Sequence, residues 1–341
     1  MFAEIKIWSQ LTPAAQAELL KRPALIDDQA INDKTCRIIS AVRRDGDAAL
    51  IKFTKQFEAR ALDTLRVSDQ EFAAAEASVS PAASAAIDTA IGNVTRFHEA
   101  QKPLELDLNT SPGVRCERRN HPIDAVGLYV PAGSAPLPSA AIMLAVPASI
   151  AACPVRVLCT PAAKDGQVDA ATLVAAQRSG VKEVFKIGGA QAVAAMAYGT
   201  ESIPKVDKIF GPGNAWVTAA KRLVAGDPTG AAIDMPAGPS EVFVIADETA
   251  NPAFVAADLL SQAEHGVDSQ VLLVTTSRSV ADRVIREAAS QLGKLTREKI
   301  ARAALDHAHV ILSDDLPAAI GISNRYAPEH LILQIEDPRA A

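Results

Sequence analysis

Two of the six histidines in this 341-residue chain directly follow a glutamate, at Glu264-His265 and Glu329-His330. A carboxylate beside an imidazole gives two proton-transfer groups of different proton affinity, and the imidazole is also a metal ligand. Gln262 stands three residues ahead of His265, so on a helix the two side chains would share a face. Pro328 directly precedes the second pair, which predicts a rigid turn there rather than a helix interior. Taken alone, Gln262 and His265 make a poor metal site, because zinc takes three or four protein donors and an amide oxygen is an uncommon one. A helix end with a surface histidine is the competing reading. Asp268 either orients the His265 ring or occupies a loop. His307 and His309 flank Ala308 ahead of a strand and are read as structural or solvated, His121 lies in a polar turn, and His98 ends a helix. At that helix end a protonated imidazole suits the dipole.

These residues need a scaffold, and the composition describes one. The chain is 49% hydrophobic, rich in alanine and only 4% aromatic, which suits two domains of tightly packed helix on sheet. A formal charge of -6, without a long basic run, argues against nucleic acid as a partner. Cys36, Cys116, Cys153 and Cys159 show no C-x-x-C spacing and no secretory signal precedes them, so reduced thiols in a cytoplasm are expected. The apolar run from Ala140 to Cys153 contains Pro147 and is too short to span a membrane, which makes it a buried helix.

Along the chain, Pro13 to Lys21 reads as a short amphipathic helix ended by Pro23, an arm of the kind that packs on a partner subunit. Asp27 to Gln101 reads as helical throughout, with Ser68 and Glu71 forming a capping box. Residues 114–118 and 125–130 alternate as strands and are expected to pair as a hairpin across a Pro-Ile-Asp turn. Strands near 155–159, 183–187 and 208–210 then alternate with helices near 139–152, 170–178, 190–198 and 215–224. A second set of strands follows at 241–246, 270–275, 309–312 and 331–334. Such alternation predicts an α/β fold of two doubly wound, Rossmann-like parallel-sheet domains with an N-terminal helical arm. The expected domains are residues 1–25 as the arm, 26–129 with 240–341 as a discontinuous outer domain, and 130–239 as an inserted one. Pro131-Ala132-Gly133 and Pro236-Ala237-Gly238-Pro239 are the crossing points.

Ligands bind where strands of such sheets end. Gly188-Gly189-Ala190-Gln191 and Gly211-Pro212-Gly213-Asn214 each join a strand to a helix, although neither completes a G-x-G-x-x-G fingerprint. Each is either a cofactor loop or ordinary punctuation. Gln191 and Asn214 stand at the helix starts, where an amide can cap the helix or bond a ligand.

Six separated motifs, in order, resemble those of the histidinol dehydrogenases: Gly127-Leu128-Tyr129-Val130-Pro131-Ala132-Gly133, Gly188 to Ala192, Phe210 to Asn214, Ile233 to Glu241, Ser261 to His265, and Ala327-Pro328-Glu329-His330-Leu331. The resemblance covers nearly the whole chain. It implies a zinc-dependent, NAD-linked homodimer that oxidises L-histidinol through histidinal to L-histidine with two NAD, ending histidine biosynthesis. It puts Glu329 and His330 at catalytic positions, Tyr129, Gln191 and Asn214 at NAD contacts, and Gln262 and His265 at zinc. Ser240, Gln262, His265 and His330 fall at substrate contacts. The resemblance further implies a segment beyond Leu331 to Gln334 with an aspartate and a histidine for zinc and a glutamate for substrate. This chain ends at Ala341. The expectation is a main body that folds, binds zinc weakly and shows little activity.

In the expected mechanism His330 takes the hydroxyl proton in the first oxidation and Glu329 activates water for the second. A thiohemiacetal on Cys116 or Cys153 would be a different route, but both thiols read as packed and inert. A zinc hydrolase would show H-E-x-x-H, which does not occur. A non-catalytic α/β module, or an inactive form of the same family, is the alternative.

Overall fold

A computed structural model describes residues 4–22, 29–58, 62, 64–132, 136–235 and 240–341. Both proposed crossing points, at Gly133 and at 236–239, and Pro23 lie outside the described residues. The chain divides into two compact units, one of residues 27–237 and the other of 1–26 with 238–341.

The larger unit is built on a five-stranded parallel sheet. Its strands are β4 (Ala125–Tyr129), β5 (Val155–Thr160), β6 (Glu183–Lys186), β7 (Lys208–Phe210) and the two-residue β8 (Ala232–Ile233), in the order β6-β5-β4-β7-β8. The order reverses between β4 and β7, the position where doubly wound sheets open a crevice. Helices α2 (Gln29–Glu58), α7 (Gly189–Tyr198) and α8 (Ala215–Ala225) cover one face. The other carries α3 (Asp69–Ser78), α4 (Pro81–Glu99), α5 (Pro138–Ile150) and α6 (Ala170–Arg178). Strand periodicity sorts the core: Val157 and Cys159 of β5 join the first face, and Leu158 the second. Gly127 lets helix and sheet close up, since a Cβ there would meet Met196 Sδ at 2.7 Å.

The smaller unit repeats the plan with β9 (Glu241–Ala246), β10 (Gln270–Thr275), β11 (His309–Leu312) and β12 (His330–Gln334), all parallel. Its order is β1-β11-β10-β9-β12, where β1 (Lys6–Ile7) comes from the N-terminal arm. Helices α9 (Pro252–Ala263), α10 (Arg278–Leu292) and α11 (Glu298–Leu305) pack with Val242, Val244, Val271 and Leu273. On the opposite face α12 (Leu316–Tyr326) packs with Phe243, Ile245, Leu272 and Val274, beside Trp8 and Leu19 of the arm. Helix α1 (Pro13–Leu19) starts at Thr12, whose hydroxyl accepts from Ala15 N–H at 3.2 Å.

Four expectations are corrected. Residues 27–129 belong with 130–237 rather than with the outer domain, because β4 hydrogen-bonds to β5 and β7 and α2 packs on α7 and α8. The arm is no separate element, since β1 completes an edge of its own chain's sheet. The hairpin partner of β3 (Val114–Arg118) is β2 (Leu106–Ser111), upstream of it, and β4 leaves for the parallel sheet. The region up to Gln101 is interrupted by an extended stretch, where Val67 N–H donates to Val184 O at 2.9 Å, and α2 itself breaks at Gly46, φ 52. The Ser68–Glu71 capping box is present, with Ser68 N–H to Glu71 Oε2 at 2.8 Å and Glu71 N–H to Ser68 Oγ at 3.2 Å.

Candidate active site

In the larger unit the cofactor candidates gather where strands end. Tyr129, the last residue of β4, is buried, and its hydroxyl accepts the Gly189 N–H at 3.0 Å. The tyrosine thereby fixes the Gly188-Gly189 turn. Gly189 has φ +67, and Gln191 folds back over it, with Oε1 2.8 Å from where a Cβ would stand. Helix α7 starts at Gly188 with no side-chain cap, so beyond the Gly189 N–H taken by Tyr129 the first turn offers backbone N–H groups to an incoming anion. Gln191 is buried and does not cap this helix, whereas Asn214 caps α8, accepting from Trp216 N–H at 3.1 Å and Val217 N–H at 3.2 Å. That uses the Asn214 oxygen and leaves its NH₂ as a donor.

The second glycine turn is held by a charge pair that the sequence reading did not single out. Gly211 has φ +130, and a Cβ on it would stand 2.1 Å from Tyr129 O, so only glycine fits beside β4. Its N–H donates to Asp234 Oδ2 at 2.9 Å and its carbonyl accepts from Lys221 Nζ at 2.9 Å. Lys221 Nζ also pairs with Asp234 Oδ1, and the Lys221 side chain is 2% exposed. Asp234 lies just past β8 and Lys221 two turns into α8. One ion pair therefore ties β7, β8 and α8 together around Gly211. The available signal was a lone lysine on the apolar face of α8, seven residues after Asn214.

In the smaller unit the candidates collect at the opposite kind of edge, where strands begin. His330 opens β12, facing Val242 of β9 across the ladder, and Glu329 stands in the bend just before it. Helix α12 ends at Ala327 in the left-handed region, φ 51, and Pro328 follows, so the predicted rigid turn is present. Glu329 and His330 are about half exposed, with Glu329 Oε2 3.5 Å from His330 Nδ1. His330 Nδ1 lies 3.1 Å from Glu241 O, and Glu241 N–H points to Glu329 Oε2 at 3.4 Å. A carbonyl only accepts, so in this contact Nδ1 is the donor, and in the neutral ring that makes Nε2 the unprotonated nitrogen. Ser240, next to Glu241, accepts the Gln270 N–H at 3.1 Å, which places the turn entering β10 at the same edge.

Gln262 is the penultimate residue of α9 and buried, and its Nε2 has no hydrogen-bond partner. His265 is exposed and lies past the helix end at Glu264, so the shared-helix-face argument does not hold. What keeps the two adjacent is a turn in which His265 N–H donates to Gln262 O at 3.1 Å. No hydrogen bond joins Asp268 to His265; the Asp268 carboxylate lies against Gly266. Among the described residues no three His, Cys, Asp or Glu side chains gather as a metal site. An orphaned amide and one imidazole do not make up a zinc site by themselves.

Cys153 is buried, but Cys116 is exposed on the hairpin, not packed as expected. Burial pushes the Cys159 thiol pKa far up. Tyr326, beneath the Glu329–His330 turn, has its phenol pKa raised by burial and by the neighbouring Glu241 carboxylate.

Two doubly wound parallel sheets, one with glycine turns ending its central strands and the other with a Glu-His pair at its strand starts, make this an α/β protein of two Rossmann-like units. The chain matches the histidinol dehydrogenase family over residues 21–341, and it belongs to that family. It is 55% identical to the histidinol dehydrogenase of Xanthomonas euvesicatoria over 98% of this chain and 77% of that one. The Vibrio vulnificus histidinol dehydrogenase is 50% identical over 98% of this chain and 76% of its own length. The crystal structure of histidinol dehydrogenase from Elizabethkingia anophelis superposes with a TM-score of 0.94 at 44% identity, covering 100% of this chain and 77% of that one.

Proposed function

We propose that this chain oxidises L-histidinol through L-histidinal to L-histidine, using two NAD and so ending histidine biosynthesis. The observation that carries this is the family match along nearly the whole chain, joined to a Glu-His pair whose imidazole presents a free Nε2. The two glycine turns, with Tyr129, Gln191 and Asn214, fit the cofactor: α7 starts without a side-chain cap and Asn214 keeps a free NH₂. NAD, when bound, supplies the hydride acceptor.

His330 Nε2 accepts the hydroxyl proton of histidinol as hydride leaves the same carbon. Its Nδ1–H, held by Glu241 O, keeps the ring in the tautomer that can do so. Glu329 then takes a proton from the water that adds to the aldehyde, and the hydrate gives up the second hydride. Ser240 and His330, on neighbouring strand starts, are the substrate contacts on this edge, together with Gln262 and His265. Zinc would find at Gln262 and His265 an amide oxygen and an imidazole, two donors of the three or four it takes, so weak binding is expected from these residues. A homodimer is part of the same reading. The β2–β3 hairpin supports it, being exposed along its whole length with Leu106, Leu108 and Val114 outward.

The test is formation of reduced nicotinamide from histidinol, followed by its absorbance with and without added zinc. A non-catalytic module or a zinc hydrolase would give no signal in either case.

A further inference from the structure

The backbone of Glu241 meets both members of the Glu-His pair: its N–H points to Glu329 Oε2 at 3.4 Å and its carbonyl stands 3.1 Å from His330 Nδ1. Whatever holds Glu241 therefore holds the pair. Its side chain is 12% exposed and Oε1 accepts from Arg22 Nε at 3.0 Å, across 219 residues of sequence. The same guanidinium donates through one nitrogen to Tyr326 O at 2.8 Å and Ala327 O at 2.9 Å. Its carbon stands 4.3 Å from the centroid of the Tyr326 ring. Those two carbonyls close α12 and begin the turn that delivers Glu329 and His330. Arg22 thus grips the start of β9 and the end of α12 at once, with a planar fork that a lysine cannot reproduce.

We propose that Arg22 and Glu241 are positioning residues for the proton-transfer pair: by anchoring the start of β9 against the α12 turn, they keep the Glu241 carbonyl on His330 Nδ1 and so leave Nε2 as the free base. This rests on the reading of Glu329 and His330 as that pair. Merely docking the N-terminal arm would not require the His330 tautomer to depend on Arg22.

The full chain, labelled with ¹⁵N-histidine, is examined by long-range ¹H–¹⁵N spectra at a pH where the ring is neutral, with His330→Gln identifying the resonance. Wild type is expected to show the Nδ1–H tautomer. Arg22→Met and Glu241→Gln are expected to shift His330 largely to the Nε2–H form that an unrestrained imidazole favours, and Arg22→Lys to fall between. Far-UV circular dichroism checks that each variant is folded; if Arg22→Met is not, Glu241→Gln decides. A wild-type Nε2–H tautomer, or an unchanged Nδ1–H tautomer in folded variants, overturns the proposal. Since the readout needs no turnover, a chain that shows the expected shifts but never reduces NAD would sink the functional reading and leave the positioning intact.

Discussion

At the scale of single residues, the two Glu-His dipeptides are not equivalent. Glu329 and His330 share a strand start with Glu241, whereas His265 lies in an exposed turn beside one buried amide. His330→Gln is expected to lower histidinol-dependent NADH formation by roughly 10² to 10⁴-fold, the ordinary worth of a general base. Glu329→Gln should depress the aldehyde step more than the alcohol step, which separate assays with histidinol and histidinal resolve. The pair was legible because its members are adjacent in sequence. Arg22, Glu241, Lys221 and Asp234 were not, because each acts through a partner that folding brings near.

At the scale of elements, most strands and helices of both sheets follow the sequence pattern, since strands buried on both faces read as apolar runs bounded by turns. The misreadings come from pairing. Period-2 alternation in β3 marks a strand but does not name its neighbour. The Lys221–Asp234 pair shows what an element needs beyond propensity. Lys221→Met would leave Asp234 without its counter-ion and is expected to cost roughly 3 kcal/mol in urea unfolding, with Lys221→Met/Asp234→Asn recovering much of it. At the start of β11, burial first, and then the charges of His307 and Lys6, hold the His309 pKa below its ordinary value. The unfolded chain takes up that proton near pH 6.5. This contribution is therefore complete above about pH 6.5 and declines as pH falls through that value toward the lower folded pKa. The melting temperature should drop between pH 7.5 and 5.5, and less steeply in His309→Phe.

At the scale of the whole molecule, both units use the same winding but place their candidate residues at opposite kinds of sheet edge. In the larger unit Tyr129, Gly189 and Gly211 lie where strands end, at the reversal between β4 and β7. In the smaller one Ser240, Glu241 and the Glu-His pair lie where strands begin. The rule that ligands bind at strand ends thus locates one group and not the other. Among the described residues no helix is long and apolar enough to cross a membrane, and the apolar run around Pro147 is the 13-residue helix α5. Sedimentation is expected to give a mass twice the 35.8 kDa of the chain; a monomer would remove the homodimer from the reading.

By itself the sequence determined the α/β winding, the glycine turns, the capping box and the Glu-His pair, because periodicity, φ requirements and adjacency are local properties written in consecutive residues. Only the tertiary structure decided that β1 of the arm edges the far sheet, that residues 27–129 join the larger unit, and that Arg22 reaches Glu241. Each of those is a pairing between distant segments, chosen by which surfaces become buried together and which charges then have to be matched.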